Sequence, residues 1–377
     1  MSGAINGEQR ATITPTLGRY RGEIDGALRE AIRESAHTTP RTPASSSALA
    51  KMYAQIEYHL GWRSEDLSPA ESNPGKLLRP TLVLLTAELA GGREAVTRAL
   101  PAAVAIELIH NFSLIHDDIE DRDEARRGRP TLWKAWGQAQ AINTGDALFA
   151  LARSRLLELM KRGVTPENVV RLVGLVDGAC LELCEGQHLD MSFEGRREVT
   201  EAMYLDMIGR KTAALMRCAA ELGARVGAPE DGALGDRLAA YGQALGLGFQ
   251  LRDDVLGIWS ATQLGKSEAG DIRRKKMTLP VIHALERASA KDRASLNAIY
   301  AERGPATDDQ VARALAILDR AGSRKRAYTA LKEQLDAATS ALADALALAR
   351  VRHSGAEDVA SELATLIAFI QADAENQ

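Results

Sequence analysis

The sequence predicts an all-α fold, and three observations support this prediction. Between residues 18 and 35, the apolar residues Tyr20, Ile24, Leu28 and Ile32 recur every four positions, which is the spacing of one face of a helix. Strand-type alternation of apolar and polar residues is scarce, and no internal repeat is visible. The C-terminal third of the chain is rich in alanine and leucine with helical character. We therefore expect one helical bundle packed around a common core.

The remaining helices are expected in order along the chain. They are predicted at residues 48–61, 78–89, 101–124, 140–160, 166–190, 200–223, 234–259 and 278–288, followed by helices from Asp308 onward. Pro101 suits the first turn of its helix. The Pro/Ser/Thr-rich residues 36–47 predict a linker. We expect residues 1–17 to form a disordered N-terminal segment and residues 18–377 to form the single domain, with the functional motifs within residues 75–280.

Composition narrows the class of protein. Of 377 residues, 45% are hydrophobic and 26% charged, as in a globular protein, and the net charge of −4 argues against nucleic acid or an anionic membrane as a partner. The sequence lacks the pattern of a signal peptide and a clear membrane-spanning run, so a cytoplasmic location is expected.

Three cysteines do not build a disulfide framework. Cys180 and Cys184, one helical turn apart, could form half of a metal site, but they are more simply small core residues.

An unusual concentration of acid follows an apolar stretch. Six acidic side chains lie within eight consecutive residues that begin at Asp117. Asp117 and Asp121 share one helix face, and Asp118 is offset by about 100°. A second pair, Asp253 and Asp254, also ends an apolar helix. One cluster alone could be a solvated helix end, whereas two pairs on two core helices indicate carboxylates that face each other across a cavity.

Carboxylates without nearby His or Cys ligands favour a hard cation, Mg²⁺ rather than Zn²⁺. Because Mg²⁺ is usually shared with substrate phosphates, the sequence also predicts a phosphate-bearing substrate. Basic residues next to Gly or Pro are of the type that binds polyphosphate anions, although each alone could be solvated surface. These residues are Lys76, Arg79, Arg126, Arg127, Lys211, Lys266 and Lys276.

Five ordered segments together resemble the trans-isoprenyl (polyprenyl) diphosphate synthases. They read GKLLRP, LIHNFSLIHDDIEDRDEARRGRPT, GRKTA, FQLRDD and GKSEAGDIRRKKMTLP, and the similarity extends over roughly residues 50–290. The resemblance implies an isoprenoid-synthase-type helical bundle around a central cavity, and a homodimer. It also implies a Mg²⁺-dependent prenyltransferase that condenses isopentenyl diphosphate head-to-tail with allylic diphosphates.

The resemblance assigns roles to individual residues. Up to three Mg²⁺ ions per active site are implied, at Asp117, Asp118, Asp121, Asp253 and Asp254, with Asp254 and Asp271 acting through water. Isopentenyl diphosphate is implied to bind Lys76, Arg79, His110 and Arg127. The allylic diphosphate is implied to bind Arg126, Lys211, Lys266, Lys276 and Gln187, with Asp190 nearby. Thr212 and Gln250 are implied to face the developing carbocation, and with Lys211 they complete the catalytic set.

One position departs from the family pattern. The second motif reads DDVLG, so that Gly257 stands where a third aspartate is usual. Since Asp253 is the expected direct ligand, we expect activity to survive and a Gly257→Asp change to have little effect.

The length of the product is predicted from residues upstream of Asp117. Ser113, one turn below, is small and leaves the cavity open beyond the depth at which C15 synthases stop. Phe112, about 7.5 Å along the helix axis, corresponds to the aromatic residue of C20 synthases. An ideal helix places Phe112 almost opposite the aspartates, so a core or dimer-contact role stays open. The sequence thus predicts geranylgeranyl diphosphate, with a C15 product or one of C25 or longer as the alternative.

Two other functions are compatible with parts of the sequence. A class I terpene cyclase shares the fold and the first motif, but none of the asparagines begins the Asn–x–x–Ser/Thr–x–x–x–Glu motif of cyclases. An aromatic content of 4% is also low for a cavity that guides cations by cation–π contacts. A non-catalytic subunit of a heteromeric synthase would more plausibly lack Asp253, Lys211 or Lys266, and all three are present.

Overall fold

A computed structural model describes residues 15–38, 43–72, 75–193, 196, 198–259 and 269–375. The first helices are α1 (Arg21–Thr38), α2 (Pro43–His59), α3 (Leu78–Gly91), α4 (Arg93–Glu120), α5 (Leu132–Trp136), α6 (Gln138–Leu157), α7 (Pro166–Phe193) and α8 (Glu201–Ile208). The later ones are α9 (Ala214–Gly227), α10 (Gly232–Trp259), α11 (Gly270–Arg273), α12 (Leu279–Arg287), α13 (Ala290–Ala301), α14 (Asp308–Arg320), α15 (Ser323–Ala349) and α16 (Ala356–Glu375). A 3₁₀ turn spans Glu158–Arg162 and a π-helical turn spans Gly209–Ala213. The prediction of an all-α fold is confirmed.

The core forms where long helices pack lengthwise. α10 packs along α15, α3 along α9, and α4 along α6, while α9 also contacts α10. Alanine and glycine at these crossings allow close approach, and leucine and isoleucine fill the remaining space. α4 is long and apolar enough to cross a membrane by length and composition, but 72% of its apolar window is buried inside the protein. It is therefore placed as a central core helix.

Near the N-terminus, the described residues differ from two predicted boundaries. Thr16, inside the segment expected to be disordered, is buried, and its hydroxyl lies 3.1 Å from the hydroxyl of Thr365. Residues 1–14 lie outside the described part of the chain. Within the linker predicted at residues 36–47, the residues that the structure describes are helical, because α1 continues to Thr38 and α2 begins at Pro43. Proline at the first helical position has no amide hydrogen bond to lose, so it starts α2 without cost.

The prediction that a helix starts at Pro101 is also wrong. α4 begins at Arg93, directly after Gly92, whose φ of 73° separates it from α3. Pro101 lies inside the helix and sacrifices one backbone hydrogen bond there. At the other end α4 stops at Glu120 rather than at residue 124.

After α4 the chain forms a short antiparallel hairpin. Its strands, β1 (Ala125–Arg126) and β2 (Arg129–Pro130), are joined by Arg127 and Gly128, which have φ values of 54° and 76°. Two positive φ angles are typical of the tight turns that suit hairpins. The hairpin turns the chain back beside the acidic end of α4.

Candidate functional site

The acidic end of α4 lies among charged side chains from distant parts of the chain. Asp117 lies within electrostatic reach of Lys211, in the π-helical turn. Asp121 lies within reach of Lys211, Lys276 and Asp190, the last on α7. The ammonium of Lys211 donates a hydrogen bond of 2.6 Å to the Asp190 carboxylate. The fold thus brings together four of the segments that the sequence predicted to form one site.

The Asp117 carboxylate is buried, and nearby positive charge compensates for its burial only in part. Burial raises its pKa to about 7, and the neighbouring Asp121 and Glu120 act in the same direction. Lys211 opposes this effect without cancelling it. A carboxylate in such a setting is stabilised as an anion when a cation binds beside it.

Asp118 points to a different partner from Asp117. Its carboxylate is buried, and Oδ1 accepts a hydrogen bond from Arg126 Nε at 2.8 Å and lies 2.7 Å from Nη2 of the same guanidinium. This charge-assisted pair holds both side chains in place. It engages one oxygen of Asp118 and fixes Arg126 at the base of the hairpin.

In the second motif, Asp254 is the centre of a buried hydrogen-bond network. It accepts bonds from the Tyr204 hydroxyl, from Gln250 Nε2 at 3.1 Å and from the backbone N–H of Leu279 at 3.4 Å. Burial raises its pKa to about 6, and the nearby Lys276 lowers it. Because its oxygens already have partners, Asp254 fits action through water better than direct metal binding.

Asp253 stands at the more open edge of the same motif. Its side chain is 46% exposed, and Oδ1 lies 3.6 Å from Arg252 Nη1. Arg79, on α3, interacts electrostatically with both Asp253 and Asp117. Aspartates of both motifs therefore lie close enough to act on the same arginine.

Gly257 is explained by its contact with Asp271. A Cβ atom added at Gly257 would lie 2.0 Å from Asp271 Oδ2, so the Asp271 carboxylate occupies the space that a side chain at position 257 needs. Arg274 Nη2 holds the other oxygen of Asp271 at 2.9 Å. A Gly257→Asp change therefore requires the Asp271 carboxylate to move away from Arg274, which the sequence alone did not indicate.

Lys211 and Thr212 are presented by the π-helical turn Gly209–Ala213. Single π-turns inside α-helices occur frequently at functional sites, because the extra residue redirects side chains. The Thr212 hydroxyl donates a 2.9 Å bond to Gln250 Oε1, which places both residues at one point. On α7, the buried Gln187 has no hydrogen-bond partner for its side-chain amide among the described residues.

Gly186 allows this turn to approach α7. A Cβ atom at Gly186 would lie 2.2 Å from the backbone nitrogen of Lys211.

We expect Gly186→Ala to push the π-turn away from α7 and so to lower the free energy of unfolding by about 1–3 kcal/mol. The displacement of Lys211 should also lower the rate of prenyl transfer. Thermal unfolding and turnover measure the two effects. Gly26→Ala, on α1 with open space around it, is the control and should be neutral or slightly stabilising.

Several basic residues lie near His110. Arg79 Nη1 lies 3.2 Å from His110 Nε2. Burial and the neighbouring Arg79 and Arg127 hold the pKa of His110 well below its usual range, so the ring is neutral. The ammonium of Lys76 lies 4.7 Å from the centre of the Phe369 ring on α16. The C-terminal helix therefore closes one side of this region.

Sequence reasoning missed two buried polar residues. Tyr204 bonds Asp254, and nothing in its local sequence indicated this contact. Glu107 is a buried acid within electrostatic reach of Arg79 and Arg127. Its position as a lone acid in the apolar run AAVAIELIHNF could have indicated a buried polar role. Lys266, predicted to contact diphosphate, lies outside the described residues.

The two residues predicted to set chain length occupy different surroundings. Phe112 packs against the His116 and Phe149 rings, with centroid distances of 4.8 Å and 5.3 Å. Phe149 belongs to α6, so Phe112 fills the α4–α6 interface. Ser113 is buried, and its hydroxyl bonds the backbone carbonyl of His110.

The donor set suits Mg²⁺ bound together with a substrate. Among the residues that the structure describes, no three His, Cys, Asp or Glu side chains lie close enough to hold an ion by themselves. Mg²⁺ sites commonly use one or two carboxylates and take their other ligands from water and phosphate. Asp117, Asp121 and Asp253 would supply the carboxylates.

The chain is similar to known proteins in sequence and in fold. Residues 64–318 match the family model described as Polyprenyl synthetase. The chain is 43% identical over 291 residues to a geranylgeranyl diphosphate synthase of Mycobacterium tuberculosis, covering 77% of this chain and 81% of the relative. It is 41% identical over 274 residues to a (2E,6E)-farnesyl diphosphate synthase of Mycobacterium bovis, covering 72% and 74% of the two chains. The crystal structure of a polyprenyl synthetase from Streptomyces coelicolor A3(2) superposes with a TM-score of 0.80 at 36% identity, covering 95% of this chain and 99% of the other.

Proposed function

Because the chain belongs to the polyprenyl synthetase family and is a trans-prenyltransferase, we propose that it condenses isopentenyl diphosphate head-to-tail with an allylic diphosphate to make geranylgeranyl diphosphate. The observation that carries this proposal is that Arg79 lies within electrostatic reach of both aspartate motifs and Lys211 within electrostatic reach of Asp117. The arrangement provides one place for a departing diphosphate and one for an incoming diphosphate. It supports a substrate pair rather than a single ligand.

The allylic side of the site stabilises a leaving group. The allylic C–O bond breaks heterolytically, and the electron pair leaves with the diphosphate. Lys211 and Lys276 supply fixed positive charge there, and Lys266 is proposed to add a third. Mg²⁺, when bound at Asp117, Asp121 and Asp253, would neutralise the departing diphosphate. Burial around Asp117 keeps water away from the resulting carbocation.

The isopentenyl side binds the nucleophile. Lys76, Arg79 and Arg127 are proposed to hold the diphosphate of isopentenyl diphosphate, and the neutral His110 to donate a hydrogen bond to it. The alkene π electrons form the new C–C bond with the allylic carbon. The cation that results then loses a proton, which the released diphosphate accepts, so His110 is not required as a base.

The face of the cavity toward the cation is polar but uncharged. Thr212 and Gln250 bond each other, which fixes their oxygen dipoles. Gln250 is in turn held by Asp254. We propose that these oxygens stabilise the developing positive charge without acting as nucleophiles.

Product length is expected to respond to two substitutions. Ser113→Phe should shorten the main product to the C15 diphosphate, because a ring would fill the space one turn below Asp117. Phe112→Ala should lengthen it past C20, because its ring and that of Phe149 close the α4–α6 interface. Mass analysis of the products measures both changes. An unchanged product from Phe112→Ala, with shortening by Ser113→Phe, would place the floor of the cavity elsewhere.

A homodimer in the cytoplasm is the proposed state of the protein. Large apolar side chains of Ile142, Leu157, Val170 and Leu181 on α6 and α7 are 46–72% exposed, and a second copy would cover them. Light scattering that gives the mass of a single chain would contradict the dimer.

The experiment that tests the proposed function compares starters. Purified protein is incubated with Mg²⁺, isopentenyl diphosphate and, separately, the C5, C10 or C15 allylic diphosphate. We expect C20 diphosphate from each. Products of C25 or longer, or chain elongation that stops at C15, would support the alternative chain lengths. A cyclic hydrocarbon would indicate a cyclase.

A further inference from the structure

The hairpin that carries Arg126 and Arg127 contains a third arginine, which the reaction described above does not use. This residue is Arg129, in β2, and its backbone pairs with that of Arg126 in β1. Its half-buried side chain reaches the end of α2 and the connection between α2 and α3. The side chain of Arg129 therefore joins the hairpin to a segment that is distant in the sequence.

The guanidinium of Arg129 is held by three oxygens of that segment. Nη1 donates hydrogen bonds to the Tyr58 carbonyl at 3.1 Å and to the Ser72 hydroxyl at 2.7 Å, and Nη2 donates one to the Arg63 carbonyl. The same group lies over the Tyr58 ring, 4.0 Å from its centre. In return, the Tyr58 hydroxyl donates a 2.8 Å bond to the carbonyl of Pro130 in β2. A planar guanidinium can serve several acceptors and stack on a ring at once, which the ammonium of a lysine cannot do.

The segment that Arg129 holds leads into the residues proposed to bind isopentenyl diphosphate. Ser72 is fixed within it, because its backbone N–H and its hydroxyl donate bonds of 2.8 Å and 3.1 Å to the Gly61 carbonyl. Lys76 follows Ser72 by four residues, and Arg79 lies in the first turn of α3. A shift of this segment against the hairpin would therefore change where Lys76 lies relative to Arg127.

The two segments meet where the Arg127 side chain passes Gly75. A Cβ atom added at Gly75 would lie 2.6 Å from Arg127 Nη2, so the guanidinium rests against backbone that carries no side chain. Arg127 is exposed, so a ligand can reach it. Its neighbour Arg126 is attached separately, through Asp118. The contact of Arg127 with Gly75 thus depends on how the hairpin sits against the segment that Arg129 holds.

We propose that Arg129 is a positioning residue for isopentenyl diphosphate: it holds the hairpin against the connection between α2 and α3, and so fixes Arg127 relative to Lys76. The inference rests on the proposed function, because it assumes that Arg127 and Lys76 bind that substrate. Arg129 acts through Arg127 and does not itself contact the diphosphate. Because Arg126 stays paired with Asp118, loss of the Arg129 contacts should affect isopentenyl diphosphate more than the allylic diphosphate.

Arg129→Lys in the full chain tests the proposal by steady-state kinetics with Mg²⁺ and both substrates. We expect KM for isopentenyl diphosphate to rise between about 10-fold and 10²-fold, because a small misplacement of a substrate-positioning group has effects of that size. KM for the allylic diphosphate, and kcat at saturation of both substrates, should stay near the wild-type values. A folded variant with an unchanged KM for isopentenyl diphosphate, or with equal increases for the two substrates, would overturn the proposal.

Arg63→Lys is the matched control. Arg63 is another half-buried arginine of the same segment, but its side chain binds Glu57 and the Leu67 carbonyl rather than the hairpin. Both KM values of this variant should match those of the wild type. A selective rise in KM for isopentenyl diphosphate in Arg63→Lys as well would show that the effect does not depend on the contact between Arg129 and this segment.

Ser72→Ala tests the same contact from the other side and does not require Arg129→Lys to fold. It removes one acceptor of the Arg129 guanidinium, so KM for isopentenyl diphosphate should rise selectively, by less than in Arg129→Lys. In the Arg129→Lys background it should have little further effect, because the two changes remove a shared interaction. No selective rise in Ser72→Ala, or an equal rise in both backgrounds, would contradict the positioning role. A wild type that forms no condensation product would instead contradict the proposed function.

Discussion

Asp117→Asn should lower turnover by at least about 10²–10³-fold while the protein stays folded. The change keeps the size of the side chain and removes the charge that would hold a cation against the departing diphosphate. Because burial disfavours the Asp117 anion when no cation is bound, loss of its charge should not destabilise the fold. Steady-state kinetics with saturating substrates, together with thermal unfolding, separate the two effects.

The matched control for this change is Glu124→Gln. Glu124 belongs to the same acidic segment, but its side chain is 63% exposed and pairs with Lys134 on the surface. Exposed ion pairs contribute about 0–1 kcal/mol, so the control should keep its turnover and stability. Near-normal turnover of Asp117→Asn would show that the Asp117 carboxylate is not part of a metal site.

Gly257→Asp should reduce both stability and turnover, although the usual family pattern has an acid at this position. The new Cβ would lie 2.0 Å from Asp271 Oδ2, and the new carboxylate would repel the existing one. We expect a loss of about 1–3 kcal/mol from overpacking. Turnover should fall as Asp271 leaves Arg274 and Lys276. Gly257→Ala separates the effect of volume from that of charge.

The double change Gly257→Asp with Asp271→Gly is the sharper test. It transfers one carboxylate from α11 to α10 and removes the steric overlap. If the two positions serve the same carboxylate function, the double variant should recover stability and part of the turnover lost by Gly257→Asp. A double variant that is no better than the single one would show that Asp271 has a role that position 257 cannot supply.

Helical periodicity and motif spacing were enough to predict the fold class and to group most of the site. The aspartates of α4 and α10 were placed on core helices because each follows a long apolar run. Arg79, His110, Arg127 and Lys211 were recognised from ordered motifs. In the structure they lie around those aspartates.

Other features of the site are not encoded in a local pattern. Asp118 and Arg126 pair because the hairpin folds back onto α4, which depends on the two-residue turn at Arg127. The position of Asp271 beside Gly257 depends on how α11 packs on α10. The π-turn at Lys211 adds one residue to a helix whose composition looks regular. Each is a tertiary contact between segments far apart or a change in helical geometry.

The most direct test of the central claim uses the purified chain alone. Labelled isopentenyl diphosphate and farnesyl diphosphate are supplied with Mg²⁺, and the product is identified by mass, with Asp117→Asn as the blank. We expect a C20 prenyl diphosphate and one released diphosphate for each isopentenyl diphosphate consumed, and product formation at least about 10²–10³-fold slower in the blank. A folded wild-type chain that forms no condensation product by itself would contradict this expectation.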